Sequence, residues 1–145
     1  MKQRRVAVIA GDGIGIEVTA EALKVLRAVQ RKHELPLVFE ELDYGAERFL
    51  REGTTLPPGE MDRFRREVDA IYLGALGDPR IPDMRHGREI LLAMRFELDL
   101  FINLRPVRLL KGVRSPLVGR APGDIDMLIV RENNEGEYSE IGGRL

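Results

Sequence analysis

Three arginines and a tyrosine carry the chemistry that this sequence suggests. Arg131 follows the apolar run Met127-Leu-Ile-Val130, and a polar turn then delivers Tyr138 seven residues later. Arg95 and Arg105 stand in similar settings, at the edges of apolar runs. A guanidinium offers planar, paired donors that match a carboxylate, and it stays charged at any working pH. At the edge of a buried strand it needs a partner, because an unpaired buried charge is costly. Either each arginine pairs internally, as Arg95 with Asp99 at helical spacing or Arg131 with a neighbouring glutamate, or the three face one small anion. Their number, the tyrosine and a nearby polar loop favour a site for a di- or tricarboxylate. Tyr138 then serves as a proton donor or hydrogen-bond donor, since a phenol beside several cations has its ionised form favoured. A partly buried aromatic beside a turn is the plainer alternative. Leu91 and Leu92, just ahead of Arg95, are core residues or the apolar wall of a pocket. Glu132, Glu135 and Glu137 read as a solvated surface rather than a metal site, and His86 as an exposed residue of a polar loop.

The remaining composition narrows the setting. A chain of 145 residues, 43% hydrophobic and 32% charged, is long enough to bury a core and has a globular composition. Its formal net charge of -1 gives no long-range pull on nucleic acid or anionic membranes, so neither is expected as a partner. No apolar run approaches the roughly 18 residues of a membrane span, and the start of the chain has no signal-peptide layout. With no cysteine and two histidines, disulfides, thiolate sites and a multi-histidine metal site within the chain are excluded. A cytoplasmic location is expected.

The elements that must position these groups alternate in type. Strands are predicted at 5–10, 37–42 and 69–75, with Pro36 at the start of the second. Helices are predicted at 16–31, 44–51 (ending at Gly53), 60–67 and 89–97. In the first helix Val18, Ala22, Leu23, Val25, Leu26 and Val29 form the apolar face. Met61 and Phe64 point inward in the third. This alternation predicts an α/β fold, a parallel-rich sheet flanked by helices. The loop 77–88 is polar and rich in Pro, Asp and Arg, the kind of strand-end loop that carries function. Segments 100–104 and 106–110 read as extended but broken around Arg105-Pro106, and 125–130 as a buried strand. The alternation gives way near Asp99, which divides an α/β domain over 1–98 from the start of a second, smaller domain over 99–145. The tail Ser139-Glu-Ile-Gly-Gly-Arg-Leu145 shows no helix, cap or closing strand. The chain is therefore expected to be an N-terminal portion of something longer, a complete small domain with a loose tail being the alternative.

Gly11-Asp-Gly-Ile-Gly15 follows a strand and opens a helix, the context of a phosphate-binding loop. It does not match the dinucleotide fingerprint G-x-G-x-x-G, because the sixth position from Gly11 is Ile16 and from Gly13 is Val18. It is not a Rossmann signature, and a tight turn that needs glycine dihedrals explains it as well.

Taken together, Gly11-Asp-Gly-Ile-Gly-Ile-Glu17, Met94-Arg95…Asp99-Leu-Phe-Ile-Asn-Leu-Arg105-Pro106 and Val130-Arg131-Glu-Asn-Asn-Glu-Gly-Glu-Tyr138 resemble the isocitrate/isopropylmalate dehydrogenase family. The motifs keep the family's order and come close to its spacing. Within the family, Asn103-Leu-Arg-Pro-Val-Arg108, Arg131-Glu-Asn-Asn-Glu-Gly-Glu-Tyr-Ser139 and Ile141-Gly-Gly-Arg144 look most like the tartrate/D-malate dehydrogenase branch.

The resemblance implies an isocitrate/isopropylmalate dehydrogenase-like fold. It also implies an NAD-dependent and Mg2+- or Mn2+-dependent oxidation of a (2R)-hydroxy acid, usually with β-decarboxylation, K+ being a further candidate ion. Arg95, Arg105 and Arg131 would hold the substrate carboxylates and Tyr138 would assist proton transfer. The nicotinamide would lie near the loop from Gly77 to Glu89, with Ile14, Gly77, Asp78 and Glu89 as its contacts. A homodimer is expected for the full-length protein.

Isocitrate enzymes carry serine and asparagine where Glu89 and Leu91 stand, which argues against isocitrate. Leucines at 91 and 92 match the isopropylmalate enzymes, so 3-isopropylmalate is the second candidate. Arg88 occupies the position where those enzymes place an acid near the nicotinamide, with Glu89 one step away. The family's catalytic lysine, its aspartate metal ligands and its adenine-binding segment would lie beyond residue 145, so the 145 residues alone are expected to be inactive. A non-catalytic regulatory subunit that binds a carboxylate effector is the alternative of another class, and a stand-alone anion-binding module a weaker third.

Overall fold

A computed structural model describes residues 2–136 and 142. The element order is β1 (Arg4–Gly11), α1 (Ile14–Lys32), β2 (Leu37–Leu42), α2 (Ala46–Glu52), α3 (Glu60–Glu67), β3 (Ala70–Ala75), α4 (Arg85–Glu97), β4 (Ile102–Arg108) and β5 (Asp126–Glu132). The chain forms two compact units, Met1–Met94 and Arg95–Leu145.

The first unit is built on β1. Its run Ala7-Val8-Ile9 is fully buried, as a strand covered on both faces requires. β1 lies between β2 and β3 and pairs in parallel with both, giving the order β2-β1-β3. The expected α/β fold with a parallel sheet flanked by helices is therefore present.

At the end of β1 the turn into α1 is tight for a steric reason. Gly11 has φ +75°, and a Cβ there would sit 2.0 Å from the Ala75 carbonyl oxygen. A Cβ at Gly15 would come within 2.3 Å of the Ala10 carbonyl oxygen, so the first turn of α1 rides directly on the sheet. That close approach sets which face of α1 turns inward. Gly15, Thr19 and Leu23 are buried, whereas Val18, Val25 and Val29, expected on the inner face, are exposed.

α2 starts two residues later than expected and ends on Gly53 in the left-handed conformation, the usual role of glycine after a helix. α3 spans the residues anticipated and buries Met61 and Phe64. Its Arg63 bridges Glu60 and the Glu40 carboxylate of β2. α4 begins at Arg85, inside the segment expected to be a polar loop, and buries His86, Gly87, Ile90 and Met94.

In the second unit β4 and β5 form a two-stranded antiparallel ribbon. β4 runs unbroken through Arg105 and Pro106, contrary to the expected interruption, with Pro106 opposite Leu128. A two-stranded ribbon leaves each strand one outer edge, so a residue without an N–H is tolerated there. β5 differs from expectation too: Met127, Leu128, Ile129 and Val130 are each between 46% and 64% exposed rather than buried. None of the described helices is long and apolar enough to cross a membrane.

Candidate active site

In the first unit the polar centre is Asp12, at the end of β1 and only 6% exposed. Its backbone N–H donates to the Ala75 carbonyl at 2.7 Å. Its carboxylate accepts from three other segments. Oδ1 takes the Ala46 N–H at 2.6 Å. Oδ2 takes the Gly77 N–H at 2.8 Å and lies 2.8 Å from His86 Nε2. One side chain thus ties together the start of α2, the β3–α4 connection and the first turn of α4. Gly45 is held to hydrogen by the same group, since a Cβ there would meet Asp12 Oδ1 at 2.6 Å. His86, expected to be exposed, is fully buried, and its Nδ1 has no hydrogen-bond partner among the described residues. The helix that carries it starts early enough to turn it inward.

A cleft of about 480 Å3 opens at the carboxyl ends of β1 and β2, lined by Gly13, Ile16, Tyr44, Glu47, Asp78 and Arg80 among others. This is the end of a parallel sheet at which α/β proteins bind ligands. Arg80 donates to Asp78 and to Glu47. The side-chain and backbone N–H groups of Arg80 lower the Asp78 carboxyl to about 2. Tyr44 is 6% exposed. Burial, reinforced by its hydrogen bond with Glu60, pushes its phenol up to about 12.

The four residues expected near a cofactor are placed differently from one another. Asp78 lines the cleft, and Ile14, Gly77 and Glu89 are not among its lining residues. Ile14 is the first residue of α1 and is 66% exposed. Gly77 is tied to Asp12. Glu89 accepts from the Thr55 hydroxyl at 3.1 Å and from Arg85. Leu91 and Leu92 are half-buried on α4, one turn ahead of Arg95.

In the second unit the β4–β5 register puts Asn103 opposite Arg131 and Arg105 opposite Ile129. Because side chains alternate along a strand, Asn103, Arg105, Ile129 and Arg131 share one face. Arg105 and Arg131 are diagonal neighbours there, about 7–8 Å apart in the usual geometry of such pairs. Each is steadied by an asparagine two positions away, Asn103 on β4 itself and Asn133 just past the end of β5. Arg105 Nε donates to Asn103 Oδ1 at 2.9 Å, and Arg131 Nη2 to Asn133 Oδ1 at 3.0 Å. Asn133, 5% exposed, in turn donates to the Leu100 carbonyl at 3.1 Å.

These two asparagines, like Asp12, are functional candidates that the sequence reading missed. The Asn-x-Arg and Arg-x-Asn spacings were the signal for them. Arg95 lies in the last turn of α4, half-buried, its carbonyl accepting from the Leu100 N–H. Glu132 caps the following turn by accepting from Asn134 and Glu135 N–H, bonds that lower its carboxyl. Tyr138 lies outside the described residues. Among the described residues no three acidic or histidine side chains converge as a metal site.

The family model for isocitrate/isopropylmalate dehydrogenase matches residues 5–143. The chain is 51% identical over 141 residues to 3-isopropylmalate dehydrogenase of Thermobifida fusca, covering 97% of this chain and 40% of that protein. It is 46% identical over 147 residues to D-malate dehydrogenase (decarboxylating) of Escherichia coli, covering 100% of this chain and 40% of that protein. Among solved structures, isocitrate dehydrogenase of Methylococcus capsulatus aligns with a TM-score of 0.73 at 27% identity, over 96% of this chain and 37% of that one. The chain spans about two fifths of the length of the curated relatives it matches.

Proposed function

The chain belongs to the isocitrate/isopropylmalate dehydrogenase family, and from that premise we propose that it is the N-terminal part of an NAD-dependent, Mg2+- or Mn2+-dependent dehydrogenase. The substrate would be a (2R)-hydroxy dicarboxylate of the tartrate/D-malate class, oxidised at C2 and then decarboxylated at the β position. The stretch 1–98 would belong to a large α/β domain and 99–145 to the start of a smaller substrate and dimer domain.

The observation that carries this reading is the shared face of the β4–β5 ribbon, where Arg105 and Arg131 stand diagonally with an asparagine amide steadying each. An amide oxygen fixes the plane of a guanidinium without cancelling its charge, which suits bidentate recognition of a carboxylate. Arg95 would take part from the last turn of α4. In the reaction the C2 hydrogen leaves as hydride and the C2 hydroxyl loses its proton. The bond to the β-carboxylate then breaks, and the electrons left on carbon take up a proton. When bound, NAD supplies the hydride acceptor and the divalent cation polarises the C2 oxygen. This chain's residues would orient the carboxylates and hold a proton at the Tyr138 hydroxyl. The described residues offer no converging metal-ligand set, so no step through the cation is assigned to them.

Leu91 and Leu92, one turn before Arg95, support a second reading in which an apolar wall accepts the branched substituent of 3-isopropylmalate. The name of the 51%-identical relative supports it as well. The test is turnover by the full-length protein with NAD and Mn2+ on D-malate, tartrate and 3-isopropylmalate. Oxidation of D-malate or tartrate is the expected result. Activity on 3-isopropylmalate alone would move the assignment to the second reading. Activity on none of the three would overturn the dehydrogenase reading in favour of a carboxylate-binding regulatory subunit.

A further inference from the structure

We propose that His86 is a positioning residue for the turn carrying Gly77 and Asp78, and that it acts through the Asp12 carboxylate. The inference rests on the reading above only in taking that turn to be where the nicotinamide cofactor lies. His86 is fully buried in the first turn of α4, with Nε2 2.8 Å from Asp12 Oδ2. The same oxygen accepts the Gly77 N–H at 2.8 Å. The other carboxylate oxygen is occupied by the Ala46 N–H at 2.6 Å. Two donors on Oδ2 and one on Oδ1 fix both the position and the in-plane rotation of the carboxylate. Without the imidazole, that rotation would be set by two backbone amides alone.

The burial of His86 has no sufficient explanation in packing. Its ring lies 6.3 Å from that of Phe49 at an interplanar angle of 31°, a contact that an apolar ring would make equally well. An apolar ring would also avoid burying Nδ1 with no hydrogen-bond partner among the described residues, which carries a desolvation cost. A side chain that adds this cost and offers Nε2 to a carboxylate is placed for that contact. The carboxylate in turn holds the amide that begins the turn, one residue before Asp78, whose side chain lines the cleft. The device is a relay of two hydrogen bonds, from α4 through the β1 terminus to the β3–α4 turn.

The test compares the full-length protein carrying His86→Phe, which fills the space without a donor, and His86→Gln, whose amide N–H can replace the Nε2 donor. Three quantities are read: hydrogen exchange at the Gly77 amide, the calorimetric Kd for NAD, and KM for NAD against KM for the hydroxy acid. For His86→Phe the Gly77 amide should exchange about tenfold faster or more, and Kd and KM for NAD should rise about tenfold, with KM for the hydroxy acid changed by less than about twofold. His86→Gln should restore each value to within about threefold of wild type.

Wild-type Gly77 exchange and NAD affinity in His86→Phe would overturn the proposal. So would a uniform acceleration of exchange across β1 and α4 that His86→Gln fails to rescue, since that is loss of packing. If His86→Phe does not accumulate, His86→Leu carries the same comparison. If the wild-type protein binds no NAD while Gly77 exchange still responds as stated, the cofactor reading falls and the Asp12–His86 relay stands.

Discussion

Asp12→Asn is a nearly isosteric change whose cost follows from the geometry of one carboxylate. The aspartate oxygens face three donors: the Ala46 N–H on one side, and the Gly77 N–H with His86 Nε2 on the other. Asparagine has one oxygen and one NH2, and neither orientation satisfies all three. With the oxygen towards Ala46, the NH2 meets the Gly77 N–H. His86 can move its proton to Nδ1 and accept, but the backbone amide cannot adapt. With the oxygen towards Gly77 and His86, the NH2 meets the Ala46 N–H.

Either way one backbone N–H is left facing a donor in place of the carboxylate, a loss worth about 2–3 kcal/mol. The surroundings are close, since even a Cβ added at Gly45 would meet this carboxylate at 2.6 Å. Native-state hydrogen exchange of the full-length protein is the assay. The opening free energy at the core amides of Val8 and Ile9 should fall by about 2–3 kcal/mol, and either Gly77 or Ala46, not both, should lose local protection. Asp12→Ala removes all three acceptor contacts and should cost more. A change below about 0.5 kcal/mol in Asp12→Asn, or equal losses in the two variants, would refute the idea that this carboxylate is the node of the three segments.

Two further outcomes are expected. The Tyr44 phenol is held up to about 12 in the folded protein, above its ordinary value near 10. The stability it contributes is therefore full below about pH 10 and lost as pH rises through about 12, on the order of 2–3 kcal/mol in all. Alkaline unfolding compared between wild type and Tyr44→Phe checks this, and an unchanged pH dependence between 10 and 12 would remove the contribution. Arg131→Lys keeps the charge but loses the planar fork and its fixed bond to Asn133, so kcat/KM should fall by about tenfold to hundredfold with thermal stability nearly unchanged. Wild-type kinetics would take Arg131 out of the substrate site.

Where local pattern decided structure, the elements were legible. α3 and β2 lie on the residues that the helical and strand patterns indicated. α4 was partly hidden by composition. Arg85 and Arg88 gave its start the look of a polar loop, although His86, Ile90 and Met94 recur at i, i+4 and i+8 and are all buried. Pro106 suggested a break because a proline inside a central strand would cost a ladder bond, a cost that an edge position removes.

Asp12 was beyond a local reading. The glycines around it have visible dihedral roles, but its three partners are 34, 65 and 74 positions away. Asn103 and Asn133 were hidden in a different way, since a hydrogen bond between side chains two apart becomes evident only once the extended course of the chain through each pair is known.

The central place of β1 bears on how the chain is made. β1 precedes both of the strands with which it forms ladders, so it completes its pairing only after β3 has emerged. Until then Val6 to Ala10 is an apolar strand with at least one edge open, the kind of segment that recruits other chains. Lys2, Arg4 and Arg5 stand at its head, where charges restrain such association. In the folded protein Asp69, the residue just before β3, meets the Arg4 guanidinium at 2.6 Å and the Arg5 N–H at 2.9 Å. The Arg5 guanidinium meets Glu67, so two of the charges that keep a nascent strand apart from its neighbours are engaged by the segment that brings in the last of its partners.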